Sequence, residues 1–368
     1  MREPGDSKMS CTAYDAEQGK EMEPMESPRF VRISLAAAMT LGFQLGLFYR
    51  NARLHCVNLL LTYSKGCAAR CAYCGLSKIR PGNFSEKSFI RVTWPVHRVE
   101  DIIQRIAERR DRVKRICVSM LTGNRAVEDT RKICERLRSS FDVPVSLLVS
   151  PTVMSQGDLI SFKSAGADKI GVAIDLATPE LFDRYRGNGT GGPHRWETYW
   201  KCLSDAVKIF DDGNAGAHLM VGMGETEKEM SESIQKVRDL GGRTHLFSFF
   251  PEADSILSDR VPPPMDQYRR IQLARFLIDG KMGRAGKFTF LDGRIVDFGV
   301  PGGMLEKIID SGEPFRTSGC EGYDGEVACN RPYANSRPGP GIRNFPFRPD
   351  KRDIALIRRQ MARTGNKG

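Results

Sequence analysis

The sequence predicts an α/β protein built from six βα units, the outline of a partial or complete barrel, on three observations. Short β-branched or aliphatic runs recur from residue 57 onward, each is followed by a longer charged stretch of 3.6-residue periodicity, and the helix ends carry caps and stops. The predicted strands are 57–63, 115–121, 145–150, 169–175, 217–221 and 244–249. The predicted helices are 99–110, 127–137, 156–165, 196–210 and 227–240, with a sixth at 265–279. A chain of 368 residues holds one large domain or two ordinary ones, and 40% hydrophobic with 27% charged residues excludes disorder of the whole chain.

Residues 1–28 hold four Met, several Pro, Gly, Ser and acidic residues and almost no aliphatic side chain, so they are expected to form a disordered tail. Residues 29–54 are expected to form a helical N-terminal extension. Its apolar stretch, 33–48, lacks the ~20 residues of a membrane span, contains Gln44 and is flanked by Arg32 and Arg50. The barrel is expected over 55–282. Pro179 after Thr178 suits a first helical turn, Thr226 suits an N-cap, and Gly241-Gly242 suits a helix stop. Residues 283–350 read as an irregular, Cys-containing C-terminal segment, and 351–368 as a basic tail.

Lys and Arg number 56 against 45 Asp and Glu, a net charge of +11 that predicts an acidic partner. The basic residues are spread along helices, with Arg105, Arg109, Arg110, Arg112 and Lys114 the densest group. No nucleic-acid module is recognisable, which disfavours nucleic acid as that partner.

Ten cysteines in a chain of this length, with no secretory segment ahead of them, are read by spacing rather than as a disulfide scaffold. Directly after the first predicted strand stands Gly66-Cys67-Ala68-Ala69-Arg70-Cys71-Ala72-Tyr73-Cys74-Gly75, a C-x3-C-x2-C triplet. Three thiolates on one tight loop can hold three irons of a [4Fe–4S] cube and leave the fourth open to a small molecule. A structural zinc or ferredoxin-type site would want a fourth Cys or His close by, and the next, His97 and Cys117, lie well downstream.

Over about residues 55–250 the sequence resembles the radical S-adenosylmethionine (radical SAM) superfamily. That resemblance implies a partial (β/α)6 TIM-like barrel, with the cluster at the strand C-terminal ends, and S-adenosylmethionine as cosubstrate. It implies Cys67, Cys71 and Cys74 as iron ligands and the backbone around Tyr73 as adenine contact. Thr122-Gly123-Asn124 falls where the family binds the methionine amine, with Asn124 in place of the usual Glu. Asp175 is implied for ribose or carboxylate contacts, Arg186 for the methionine carboxylate, and Val221, opening Val221-Gly222-Met223-Gly224-Glu225-Thr226, for the adenine wall.

Cys320 and Cys329 stand in a Gly-rich stretch with eight residues between them, and exposed thiols there are a liability unless they bind something. They are expected to hold a second, auxiliary [4Fe–4S] cluster, with Cys56 the leading third ligand and a Ser or substrate atom the alternatives. Cys11, Cys117, Cys134 and Cys202 are left as ordinary thiols. Asn58-Leu59-Leu60-Leu61-Thr62-Tyr63, Ala72-Tyr73-Cys74-Gly75-Leu76, Ser88-Phe89-Ile90-Arg91-Val92 with Trp94-Pro95, and Cys329-Asn330-Arg331-Pro332-Tyr333 are similar to the archaeal-type, two-subunit lipoyl synthases. That finer resemblance implies a cytoplasmic sulfurtransferase acting on C6 or C8 of a protein-bound octanoyl chain. The implied partners are an octanoylated lipoyl-carrier domain or H-protein, a homologous partner subunit, and ferredoxin or flavodoxin as reductant, with no membrane. The alternatives are biotin-synthase-like sulfur insertion into a small molecule, tRNA methylthiolation, and a non-enzymatic iron–sulfur electron carrier.

Overall fold

A computed structural model of the chain describes residues 24–331 and 339–362. The chain enters as a strand, β1 (Phe30–Ile33), where the sequence predicts the start of a helical extension. Only α1 (Leu35–Leu41) of that extension is α-helical. β1 runs antiparallel to both β2 (Cys56–Leu61) and β3 (Val96–Arg98), so the sheet satisfies backbone groups that a longer helix would have satisfied internally. Ser34 caps α1 by accepting from the Ala37 amide, and Gly42, at φ 73°, ends it.

Six parallel strands form the body of the sheet. β2 leads by way of β3 and α2 (Val99–Glu108) to β4 (Arg115–Ser119), and α3 (Ala126–Ser140) leads on to β5 (Val145–Val149). α4 (Gln156–Ser164) precedes β6 (Ala167–Asp175), and α5 (Pro179–Arg186) with α6 (Trp196–Phe210) precedes β7 (Ala215–Val221). α7 (Glu227–Asp239) precedes β8 (Arg243–Ser248), after which α8 (Met265–Asp279) packs on α7 and β8. Each predicted strand lies within two residues of the observed one at either end. The order β3-β1-β2-β4-β5-β6-β7-β8 does not close on itself among the described residues, which makes the sheet a partial barrel. β2 and β4 are buried along their whole length, as strands covered on both faces must be.

The C-terminal third is more ordered than its composition suggests. A hairpin of β9 (Thr289–Leu291) and β10 (Arg294–Asp297) and a helix, α9 (Gly302–Ser311), stand in the segment expected to be irregular. The expected basic tail is a helix, α10 (Lys351–Ala362), packed on α8; residues 363–368 lie outside the described set. The reason is long-range. Arg269 of α8, wholly buried, donates to Gln360 Oε1 (2.9 Å), Gln272 Oε1 (2.7 Å) and the carbonyls of Ile342 (2.7 Å) and Arg343 (2.6 Å). The expected tail 1–28 is described only from residue 24. There the Ser27 amide bonds the Thr62 carbonyl at 2.9 Å and Glu26 pairs with Arg125 at 2.9 Å, so its end is pinned at the exit of β2. No helix among the described residues is long and apolar enough to cross a membrane.

Replacing Arg269 with Met leaves the Ile342 carbonyl and the Gln272 and Gln360 side-chain oxygens without that donor, and the Arg343 carbonyl with Gln272 Nε2 alone. Arg269→Met is expected to cost about 3 kcal/mol, read as a lower urea midpoint together with faster proteolysis of the C-terminal segment.

Candidate active site

β2 ends at Leu61, and the loop that follows carries the three thiols. Its path is set by backbone bonds: Ala68 N to Thr122 O (2.9 Å) at the exit of β4, Ala72 N to Tyr185 O (2.8 Å) in α5, and Lys78 N to Ala69 O (2.8 Å). Gly75 is required there, because a Cβ would stand 2.2 Å from the Ser88 carbonyl oxygen. Cys67, Cys71 and Cys74 all line one cavity of about 210 Å³. Its walls include one residue from each parallel strand, Leu60, Ser119, Leu148, Ala173, Met220 and Phe247, so it lies inside the barrel. Burial pushes the Cys71 thiol up to about 11 and Cys74 well above its ordinary value, so a metal that binds them must displace protons.

Beside the thiols is a polar cluster. Arg186, 4% exposed at the end of α5, donates to Asp175 Oδ2 (2.8 Å) and to Tyr199 Oη (3.1 Å), and Tyr73 Oη donates to the same Asp175 oxygen at 2.7 Å. The Arg186 Nε is buried without a partner, a donor set aside for an anion. Asp175 sits at φ 66°, a left-handed conformation that costs a non-glycine residue about 1 kcal/mol or more, at the point where the register of β6 on β7 shifts. Three thiols, a spare guanidinium donor and a carboxylate on one cavity fit an iron–sulfur cluster with an amino-acid-bearing cosubstrate.

Behind Arg186 runs a network that sequence reasoning missed. Thr122 Oγ1 and Ser150 Oγ are 2.8 Å apart, Ser150 reaches Tyr199 Oη at 3.4 Å, and His194 Nδ1 takes both Tyr199 Oη (2.8 Å) and Thr152 Oγ1 (2.5 Å). Burial, then the nearby Arg186 and Arg195, depresses His194 to about 2, so the ring is neutral. Hydroxyl residues scattered over 122–199 carry no spacing signal; only the fold joins them.

Of the residues expected around the cosubstrate, Thr122, Tyr73, Asp175 and Arg186 line the cavity, whereas Gly123, Asn124 and Val221 do not. Asn124 is exposed in the turn that enters α3. Val221 is fully buried but faces away, because alternation along β7 turns His218 and Met220 inward instead. Glu225 is absorbed by its own turn, accepting from the amides of Gly222 (2.7 Å) and Met223 (2.8 Å), while Thr226 and Glu229 form the capping box of α7.

The opposite end of the barrel is closed by residues 312–331. Glu321 pairs with Lys169 of β6 (3.5 Å) and Arg243 of β8 (3.1 Å), its carbonyl accepts from the Arg115 guanidinium of β4, and the Ser318 hydroxyl accepts from the Leu246 amide at 2.8 Å. This strap brings Cys320 and Cys329 against the inner face of the sheet. Asn58 Nδ2 lies 3.5 Å from the sulfurs of both Cys56 and Cys329, so Cys56 meets the strap despite its place at the start of β2. Cys117, set aside above as an ordinary thiol, lines the same chamber as Cys320 and Cys329. Burial holds Cys56 well above the ordinary thiol value, while hydrogen bonds from Cys56, Asn58 and Arg331 hold Cys329 well below it. Among the described residues no three His, Cys, Asp or Glu side chains converge on a single ion.

His194 makes a pH prediction. Its folded value lies below the unfolded 6.5, so as pH falls through 6.5 the unfolded chain takes a proton that the folded chain refuses, and stability drops by about 1.4 kcal/mol per pH unit. Denaturant titrations at pH 7 and pH 5 should show the wild type losing about 2 kcal/mol more than His194→Gln.

No curated protein matches the sequence. Among solved structures, the [FeFe]-hydrogenase maturase HydG from Carboxydothermus hydrogenoformans is similar over 67% of this chain and 56% of its own, at 14% identity and TM-score 0.46. The archaeal Elp3 of Methanocaldococcus infernus is similar over 58% of this chain and 57% of its own, at 12% identity and TM-score 0.39. The methyltransferase TsrM from Kitasatospora setae matches over 57% and 39%, at 13% identity and TM-score 0.38. The chain thus spans little more than half the length of the HydG chain it matches. The Radical SAM superfamily model matches residues 61–237, the stretch that runs from the thiol loop through α7, and the chain therefore carries a domain of that enzyme superfamily, with the [4Fe–4S] cluster and S-adenosylmethionine that it implies.

Proposed function

We propose that the chain is a radical SAM sulfurtransferase of lipoyl synthase type, which inserts sulfur at C6 or C8 of an octanoyl chain carried on a lysine of a lipoyl-carrier domain or H-protein. One observation carries this reading: two separate thiol sets face the same barrel interior, and Leu148, His218, Phe247 and Arg331 line both the cavity of the triplet and the chamber of Cys320 and Cys329. Sulfur insertion needs a carbon radical beside a sulfur source, and a second thiol set across one wall supplies the place for that source.

Cys67, Cys71 and Cys74 would hold a [4Fe–4S] cluster, which with an external reductant would supply the one-electron cleavage of S-adenosylmethionine needed for hydrogen abstraction from an unactivated carbon. Cys320 and Cys329, with Cys56, would hold an auxiliary cluster, which would supply the sulfide for the new C–S bond and take up the one electron that bond formation leaves. The chain's own side chains position and exclude. Arg186, with Asp175 and Tyr73, orients the amino-acid part of the cosubstrate, and Phe89, Trp94, Met120, Leu121 and Phe250 give the cavity an apolar wall suited to an alkyl chain. The net charge of +11 suits an acidic carrier domain. A homologous second subunit would perform the other insertion, with ferredoxin or flavodoxin as reductant in a cytoplasmic setting.

The reading is tested by incubating the reconstituted protein, with and without a partner chain, with S-adenosylmethionine, reductant and an octanoyl-lysyl carrier. A mass gain of one sulfur atom is expected, at a carbon that fragmentation identifies. Deoxyadenosine released with no sulfur gained on the octanoyl chain would remove it. Cys320→Ala or Cys329→Ala should stop the sulfur gain while deoxyadenosine still forms. Arg186→Met should weaken S-adenosylmethionine binding at least about tenfold, in line with the loss of a charge-assisted pair, with the iron of the triplet retained, as read by equilibrium dialysis and iron analysis.

A further inference from the structure

Strand register and alternation set which side chains face the barrel interior. Cys56 and Arg115, Asn58 and Cys117, and Leu60 and Ser119 are paired across β2 and β4, so these side chains share the inward face. Cys117 is level with Ser146 of β5, and His218 of β7 with His245 of β8. The wall next to the triplet is mainly apolar: Leu60, Leu148, Ala173, Met220 and Phe247 with Ser119. The lower chamber is lined by Cys117, Ser146, Gly171, His218 and His245 beside Leu147, Leu148 and Phe247, and Asn58 reaches Cys329 Sγ at 3.5 Å. Barrels of this kind ordinarily fill their interior with branched aliphatic residues. Here thiol, hydroxyl and imidazole side chains take much of that place.

The strap presents its sulfurs to that chamber. Its own backbone fixes their spacing: the amides of Ala328 (3.0 Å) and Cys329 (3.1 Å) both donate to the Cys320 carbonyl, Glu321 pairs with Val327, and Gly319 admits no side chain because a Cβ would lie 1.9 Å from the Cys329 carbonyl oxygen. The barrel wall contributes two thiols, Cys56 and Cys117, and the strap contributes two. The chamber of Cys117, Cys320 and Cys329 has a free volume of about 30 Å³, and Cys56 adjoins it through Asn58, whose Nδ2 lies 3.5 Å from the sulfurs of both Cys56 and Cys329.

We propose that Cys117 is an iron ligand, and that Cys56 and Cys117 from the barrel wall with Cys320 and Cys329 from the strap form a four-thiolate site for a second iron–sulfur cluster. The proposal rests on the auxiliary-cluster part of the function above and sharpens it. Three thiolates leave one iron of the triplet's cluster open to S-adenosylmethionine, whereas four leave none, so the lower site cannot generate a radical and can only store electrons or sulfide. The ligand count thereby divides the labour between the two ends of one barrel.

The test is metal and sulfide analysis with low-temperature electron paramagnetic resonance on the reconstituted full chain. A Cys67→Ala, Cys71→Ala, Cys74→Ala triple variant should retain about half of the wild-type iron, with a spectrum indifferent to S-adenosylmethionine. Adding Cys117→Ala to that triple variant should remove most of the remaining iron, and adding Cys134→Ala, a buried thiol outside the barrel, should not. Cys117→Ala in the otherwise native chain should keep the S-adenosylmethionine-sensitive signal of the triplet, which reports that the variant is folded. Iron unchanged by Cys117→Ala overturns the ligand assignment; zinc in place of iron, or no metal in the triple variant, overturns the cluster. Intact second-cluster iron with no sulfur transferred to an octanoyl chain leaves this proposal standing and removes the sulfurtransferase reading.

Discussion

Alternation along six parallel strands decides which side chains can meet inside this protein. Successive residues of a strand point to opposite faces, so pairing β2 to β8 in register sets every inward residue in a layer and every outward one against a helix. A slip of one residue in β4 would exchange Cys117 and Ser119 for Ile116 and Val118, which are now fully buried on the other face. The cavity of the triplet and the thiol chamber beneath it are both products of that single periodic constraint.

A barrel lined with thiols and histidines forfeits core packing, and the molecule offsets the loss at its periphery. The strap over the open lower mouth is laced by Glu321 to Lys169 and Arg243, and its continuation is held by the buried guanidinium of Arg269. A second buried guanidinium, Arg32 on β1, donates to the carbonyls of Trp94 (2.8 Å) and Phe84 (3.2 Å) and so holds the segment that walls the upper cavity. Both arginines spend charge on backbone oxygens rather than on carboxylates. Such bonds are directional and short, and they fasten irregular chain where no ladder of strands can.

The upper site combines rigidity and strain. Asp175 occupies a left-handed conformation at the end of β6, where Tyr73 and Arg186 both hold its carboxylate. The Tyr199 hydroxyl, itself bonded to the neutral His194, accepts from Arg186 and so helps to keep that guanidinium in place. Preorganisation of this sort matters for a radical reaction, whose selectivity comes from where the reactive carbon is held rather than from acid–base chemistry.

Local signals in the sequence determined the six strands, the helices between them and the triplet loop. Apolar periodicity and the C-x3-C-x2-C spacing are properties of short windows, and Gly75 and the Thr226 cap are legible on the same scale. The conversion of 30–33 into a strand and of 351–362 into a helix was decided by partners elsewhere in the chain, respectively β2 with β3 and α8. The same holds for Cys117, which by spacing belongs to no motif and which strand register places opposite Asn58, beside the two strap cysteines more than 200 residues later in the chain. Sequence order records neighbours along the chain, but the chemistry of this protein depends on neighbours across the barrel, and only closure of the sheet and of the strap brings those together.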